Sequence, residues 1–173
     1  MNNNTFIHKY LKPLIGKDDI CADMTAGNGN DTLFLAKLAR KVYAFDIAEE
    51  AITNTRKRTA GFDNVILIRD THANADTYIK EPVRLFIFNL GYLPYSGKPS
   101  ITNGEETLKA FRKAYQMLER GGYIAITFYF GQAGGLEEYL LVSGHIQENG
   151  IFVMERYSQD RPNSPLTLII RKS

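Results

Sequence analysis

With 173 residues, and 21 Lys and Arg against 19 Asp and Glu, the chain has the length of a single domain, 1–173, able to bury a sizeable core. Its formal charge of +2 is too small for nucleic-acid binding by bulk attraction, so any such binding needs a local patch. One cysteine, Cys21, excludes an internal disulfide, the scattered His8, His72 and His145 offer no metal-ligand spacing, and no spanning apolar run or secretory leader pattern is present, which points to the cytoplasm.

In chain order, Phe6 to Ile15 has helical spacing (Phe6, Ile7, Tyr10, Leu11, Leu14) and Gly16 ends it. Asp19 to Met24 reads as a first strand, Asp31 to Ala39 as a helix, and Lys41 to Ile47 as a second strand. A helix follows from Glu49 to about Ala60, with Arg56-Lys57-Arg58 at its end. That basic cluster is expected to be a solvated face favoured by the helix dipole. Val65 to Ile68 is a third strand, and Asn74 to Ile79 a short helix. Val83 to Leu90, nearly all apolar, is a fourth and central strand. Gly91 to Asn103 reads as a loop and Glu105 to Leu118 as a helix closed by Gly121-Gly122. Tyr123 to Phe130 is a fifth strand and Leu136 to Asn149 a helix. The last two strands, Ile151 to Ser158 and Leu166 to Arg171, are joined by a segment too short for a helical crossover, so they must be antiparallel.

The stretch from Cys21 to Thr32 reads as strand, glycine turn, helix, the arrangement in which a nucleotide-like cofactor rests on a first βα turn. Gly27 and Gly29 keep side chains away from a ligand, and amides at the start of the helix favour an anionic group. A dinucleotide fingerprint needs a third glycine where Thr32 stands. The alternative is a tight turn with Asp31 or Thr32 capping the helix. An acid at Asp23 followed by Gly-x-Gly resembles motif I of the class I methyltransferases that use S-adenosylmethionine (SAM).

Asp46 ends the second strand at about the ~20-residue spacing at which an acid accepts from ribose hydroxyls; otherwise it caps the helix at Glu49. Asp70-Thr71-His72 follows the third strand, where that family places adenine contacts. The sequence Asn89-Leu90-Gly91-Tyr92-Leu93-Pro94 leaves the fourth strand on the same edge. It resembles the Asn-Pro-Pro-Tyr loop of methyltransferases that modify amino groups, with Gly91 and Leu93 as departures. Alternation closed by an antiparallel strand resembles the mostly parallel, doubly wound seven-stranded α/β sheet of the same class.

Four stretches together are similar to one small family, the YtqB type, also called MnmM and labelled rRNA methylase. They are the Asp23 to Thr32 turn, Tyr43 to Ile47, Asn89 to Pro94 and Gly121-Gly122; Asn163-Ser164-Pro165 before Leu166 is a further match. Asn30, Gln132 and Tyr95 to Lys98 depart from the usual pattern. The resemblance implies a SAM-dependent homodimer that methylates 5-aminomethyl-2-thiouridine at the tRNA wobble position, with the anticodon stem-loop as partner. It implies cofactor contacts from Asp23, Thr25, Gly27, Asn28, Gly29, Asp31, Thr32, Asp46, Ile47, Thr71, His72 and Asn89. Catalysis would fall to Asn89 and Tyr92, and substrate binding to Leu90, Gly91, Leu93, Pro94, Lys98, Arg161 and Asn163. No residue stands out as a general base, His72 being a weak candidate. Methylation of rRNA, methylation of a small amine, and a non-catalytic SAM-binding module are the rival readings.

Overall fold

The apolar segments become seven strands of one sheet in the computed structural model, which describes residues 1–91 and 103–173. The elements are α1 (Asn3–Leu11), β1 (Ile20–Asp23), α2 (Asn30–Ala36), β2 (Lys41–Asp46), α3 (Glu49–Arg58), β3 (Val65–Arg69) and α4 (Ala75–Tyr78). They continue with β4 (Val83–Asn89), α5 (Gly104–Met117), β5 (Leu118–Phe128), α6 (Gly135–Glu148), β6 (Val153–Ser158) and β7 (Leu166–Arg171). Sheet order is β3-β2-β1-β4-β5-β7-β6. The first five strands pair in parallel, and β7 lies antiparallel between β5 and β6. This is the expected doubly wound sheet with its antiparallel last strand.

Alternation along the strands divides the core in two. Ala22, Phe86, Phe88, Ile124 and Ile126 turn to the face covered by α5 and α6, where Phe111, Ala114 and Val142 pack. Cys21, Val42, Leu85, Ile87 and Ala125 turn to the other face, under Ile7, Leu11 and Leu35 of α1 and α2. The strands at the centre have apolar residues on both faces, so β1 and β4 carry nearly unbroken apolar runs. Winding leaves β1 toward β2 on one side and toward β4 on the other. A crevice therefore opens beyond their carboxyl ends, at the switch point of the sheet.

Besides shifts of one or two residues at other ends, boundaries depart from the sequence reading in three places. The first helix starts at Asn3, because the Asn2 side chain accepts from Thr5 N at 2.8 Å, and its last turn tightens at Lys12–Leu14. The second helix ends at Ala36, not Ala39. The third departure is the largest. Gly121-Gly122 does not close α5, whose chain passes straight into β5 at Leu118. Both glycines lie inside β5, where the pairing with β4 slips between Val83 and Leu85. Gly121 takes φ +76°, and a Cβ on Gly122 would sit 2.9 Å from the Arg84 carbonyl oxygen. The Arg84 guanidinium fills the bulge, donating to Gly121 O at 3.1 Å and Glu119 Oε1 at 3.2 Å.

Candidate functional site

The turn after β1 is tied down on three sides. Met24 N donates to Ile87 O of β4, and Ala26 N donates to Phe45 O of β2, both at 2.8 Å. Gly27 N donates to Asp46 Oδ2 at 2.9 Å. On the third side α3 holds the outer turn: Thr55 Oγ1 donates to Gly27 O, Asn54 Nδ2 to Asn28 Oδ1 and Arg58 Nε to Asn28 O. The basic cluster at the end of α3 is thus only partly a free surface, since Arg58 secures the turn. Gly29, at φ +78°, lies against Thr55, whose Cα would be 2.9 Å from an added Cβ. Only glycine satisfies both the conformation and the approach.

Asp23 lies behind this turn. It is fully buried, accepts from Thr25 N at 3.1 Å and from Thr32 Oγ1 at 2.6 Å, and takes no part in the wall of the crevice. Burial, together with the charge of nearby Asp31, pushes its carboxyl up to about 7. Asp23, Gly29 and Thr32, expected as direct cofactor contacts, do not line the crevice; they shape the turn from behind. Thr32 stands where a dinucleotide turn has its third glycine because its hydroxyl is needed by Asp23. Neither Asp31 nor Thr32 caps α2, whose N-cap is Gly29 without a side-chain bond.

The crevice has a volume of about 480 Å³, within the range of small-molecule sites. On one side stand Thr25, Gly27, Asn28, Asp46 and Ile47, and beyond them Asp70, Thr71 and His72. Asp46 accepts from both Gly27 N and Ala48 N, so it joins the turn to the start of α3, whose N-cap is Ala48. Ile47 beside it is 69% exposed, an apolar face offered to the crevice. His72 Nδ1 donates to Met24 O at 3.1 Å, which leaves Nε2 an acceptor, buried and without a partner among the described residues. Burial holds the imidazole below its ordinary pKa and therefore neutral at pH 7. Thr71 caps the turn at His72–Asn74, accepting from Ala73 N. Asp70 accepts from Tyr78 OH at 2.8 Å, from Thr71 N and from Asn74, which hold it below the usual carboxylate range.

The far side carries Asn89, Leu90 and Gly91, with residues the sequence did not mark: Asn4, Tyr129, Glu138 and Thr107. Asn89 is bonded through every side-chain group. Its Nδ2 donates to Asn4 Oδ1 at 3.1 Å and Asp31 Oδ2 at 3.2 Å, and its Oδ1 accepts from Tyr129 OH at 2.5 Å. Gly91 lies under the Tyr129 ring, 3.3 Å from a would-be Cβ, so a bulkier residue there would have to displace the ring. Glu138 is fully buried. One oxygen accepts from Thr107 Oγ1 at 2.5 Å and the other has no partner among the described residues; burial pushes its carboxyl up to about 7. No local pattern announces these residues. Asn4 shares a helical face with His8, and Glu138 is an acid on a buried stripe, but only the tertiary fold brings them to the crevice.

Asn30 and Gln132, two departures from the family pattern, both line the crevice. Tyr92, Leu93, Pro94, Lys98 and the rest of Tyr95 to Lys98 lie outside the described residues. Arg161 and Asn163 stand in the connection between β6 and β7, which opens on the same edge of the sheet, but neither lines the crevice. Asn163 takes φ +55°. Among the described residues no metal-binding cluster occurs, and no helix is long and apolar enough to cross a membrane.

An apolar face beside a ribose-distance acid, a neutral imidazole acceptor and a turn of exposed main chain fit an adenosyl amino acid. Comparisons with known proteins agree. A family model described as "Putative rRNA methylase" matches residues 42–172. The chain is 36% identical over 151 residues to the chloroplastic tRNA (mnm(5)s(2)U34)-methyltransferase of Arabidopsis thaliana, covering 78% of this chain and 55% of that protein. It thus spans about half the length of that curated relative. Its structure superposes on a "putative rRNA-methylase" from Clostridium thermocellum with TM-score 0.91 and 38% identity, over 100% of this chain and 98% of the other. A "putative methyltransferase" from Streptococcus mutans, solved in complex with SAH, gives TM-score 0.89 and 38% identity over 100% and 99%.

Proposed function

Since the chain belongs to the rRNA methylase family, we propose that it is a SAM-dependent N-methyltransferase, a single domain over 1–173 working as a cytoplasmic homodimer. Its substrate is the 5-aminomethyl group of wobble 2-thiouridine in the tRNA anticodon stem-loop, and its product is the 5-methylaminomethyl form. The observation that carries the reading is Asn89. It stands at the carboxyl end of the central strand, fully oriented, across a crevice from the Gly27 turn, Asp46 and Ile47. The name of the Arabidopsis relative supports the tRNA substrate, and the family resemblance supports the dimer.

SAM, when bound, supplies an electrophilic methyl group on a sulfonium. The chain's part is to bind and orient. Asp46 keeps lone pairs free for ribose hydroxyls after its two main-chain bonds. Ile47 offers an apolar face to adenine, and His72 Nε2 accepts from an adenine N–H, with Thr71 beside it. Main chain from Gly27 and Asn28, with Thr25, borders the amino-acid end. On the other wall, Asn89 Oδ1 and the Leu90 carbonyl accept from the substrate amine, directing its lone pair. Gly91 leaves room at that wall; Tyr92, Leu93 and Pro94 follow it in the chain and are assigned to the substrate by the family resemblance, Tyr92 as the ring that packs on the uridine. Orientation of this kind contributes most of the rate in a direct displacement. Lys98, Arg161 and Asn163 meet the anticodon backbone.

The test is mass spectrometry of wobble nucleosides in tRNA from a strain lacking the protein. Accumulated 5-aminomethyl-2-thiouridine, converted in vitro by the purified chain with SAM, is the expected result. Unchanged wobble nucleosides with a lost methyl mark in rRNA would transfer the reading to rRNA. Activity on free amines without tRNA would make it a small-molecule enzyme.

A further inference from the structure

An aliphatic ammonium titrates near pH ~10, as lysine does, so at neutral pH only about one amine in a thousand carries the lone pair needed for attack. A site for such a substrate requires an acceptor for the proton, and the sequence singled out none. The structure holds a carboxylate–imidazole pair at the required place. Asp31 is 5% exposed and lines the crevice beside Asn89, bonded to Asn89 Nδ2 through Oδ2. Its other oxygen lies 2.6 Å from His8 Nε2. His8 comes from α1, stacked on the Phe34 ring with centroids 4.0 Å apart and planes 5° from parallel. Its side chain is 28% exposed, so the pair runs from the crevice to water.

Resting on the function proposed above, we infer that Asp31 accepts the proton of the substrate ammonium and that His8, acting through Asp31, passes it to solvent. The N–H bond breaks, its electron pair stays on nitrogen, and the proton goes to the Asp31–His8 pair. The pair gains one positive charge as the substrate loses one, and returns the proton to water through the partly exposed imidazole. Asn89 belongs to both functions: Nδ2 holds Asp31 in place while Oδ1 faces the amine position now taken by the Tyr129 hydroxyl. Among the described residues, the other titratable groups facing the pair are Asp23 behind Asp31, pushed up to about 7, and Tyr129, whose phenol burial pushes up to about 12. Tyr129 therefore stays protonated across the working range. No lysine or arginine among the described residues is paired with Asp31 or His8.

The pair is tested by single-turnover methylation of 5-aminomethyl-2-thiouridine tRNA with saturating SAM, from pH 6.5 to 10. For His8→Ala, with melting temperature and SAM affinity near wild type, the rate at pH 7 should fall about tenfold or more. The deficit should close as pH approaches the amine's own ionisation, and added imidazole should restore the rate at pH 7. Asp31→Asn has a readout that needs no cofactor: affinity for an anticodon stem-loop carrying the aminomethyl group should fall about tenfold, and affinity for the plain uridine stem-loop should not. A His8→Ala profile parallel to wild type at every pH, without imidazole rescue, overturns the inference even if Asp31→Asn fails to fold. Wild-type protein inactive on the aminomethyl tRNA overturns the functional reading, and the inference falls with it.

Discussion

Asn89 and Glu138 are both polar residues on the far wall of the crevice, and their surroundings predict opposite behaviour. Asn89 bonds four partners from four parts of the chain, Asn4, Thr25, Asp31 and Tyr129. The Thr25 contact uses its main-chain N–H, so Asn89→Ala removes only the three side-chain bonds. Asn89→Ala should leave SAM affinity, measured by calorimetry, within about twofold, and lower the single-turnover rate by about 10²-fold or more. A rate near wild type in a folded, SAM-binding variant would reduce Asn89 to a turn residue. Glu138 instead has no charged partner among the described residues. Its folded-state pKa of about 7 stands above the ordinary 4.5, so between those values the folded chain keeps a proton that the unfolded chain has lost. Stability from this group is complete below pH 4.5 and falls as pH rises through about 7. Glu138→Gln should thus be near neutral at pH ~4.5 and stabilising at pH ~8, by about 3 kcal/mol at most, since a tenfold change in a proton-binding equilibrium is worth ~1.4 kcal/mol. Urea denaturation of both proteins at the two pH values checks the sign.

At the level of elements, the β1–α2 turn is likewise defined by its neighbours. Its path is set by β2, β4 and α3 rather than by its own residues, and Gly29 is the point of closest approach to α3. Gly29→Ala forces a left-handed Cβ into the Thr55 backbone, which should cost about 1–3 kcal/mol and push the turn away from Asp46. The expected result is a lower melting temperature and a SAM affinity reduced about tenfold or more. An unchanged affinity in a destabilised protein would separate the turn's packing from its binding role. The junction of β5 and α6 is as tight: a Cβ on Gly135 would lie 2.2 Å from the Tyr129 carbonyl oxygen. That contact fixes where Tyr129 and Glu138, on either side of it, meet the crevice.

Across the whole molecule, the strand polarity sends the ends of β1 to β4 and the β6–β7 connection to one edge. The same edge receives the start of α1, where Asn3 Nδ2 donates to Thr167 Oγ1 at 2.9 Å and Tyr157 OH donates to Met1 O at 2.5 Å. With a net charge of +2, affinity for the proposed tRNA substrate would have to come from local cations rather than from overall attraction. Lys98→Glu and Arg161→Glu should each weaken tRNA binding and lower the slope of log affinity against log salt by about one, as for the loss of one phosphate contact. A larger effect from Arg56→Glu, on the exposed side of α3, would put the RNA on another face.

The sheet and the near wall of the crevice are legible in the chain because their signals are local. Apolar runs separated by amphipathic ones mark the strands and helices, and a glycine turn and a strand-terminal Asp46 are contiguous words, as is the Asn89 stretch on the opposite wall. Gly121-Gly122 escapes a sequence reading because a glycine pair after a helix looks the same whether it caps the helix or bulges a strand; only the slipped β4–β5 pairing and Arg84 decide it. The position of Asp23 points it at the ligand, yet whether a strand-end carboxylate faces outward or inward depends on what can bond it, and Thr32, further along the chain, does so. His8, Asn4, Tyr129 and Glu138 leave no local mark. Their meeting with Asp31 and Asn89 comes from packing α1, β5 and α6 against strands distant in the chain, and a bond between residues 23 or 85 positions apart has no period to read.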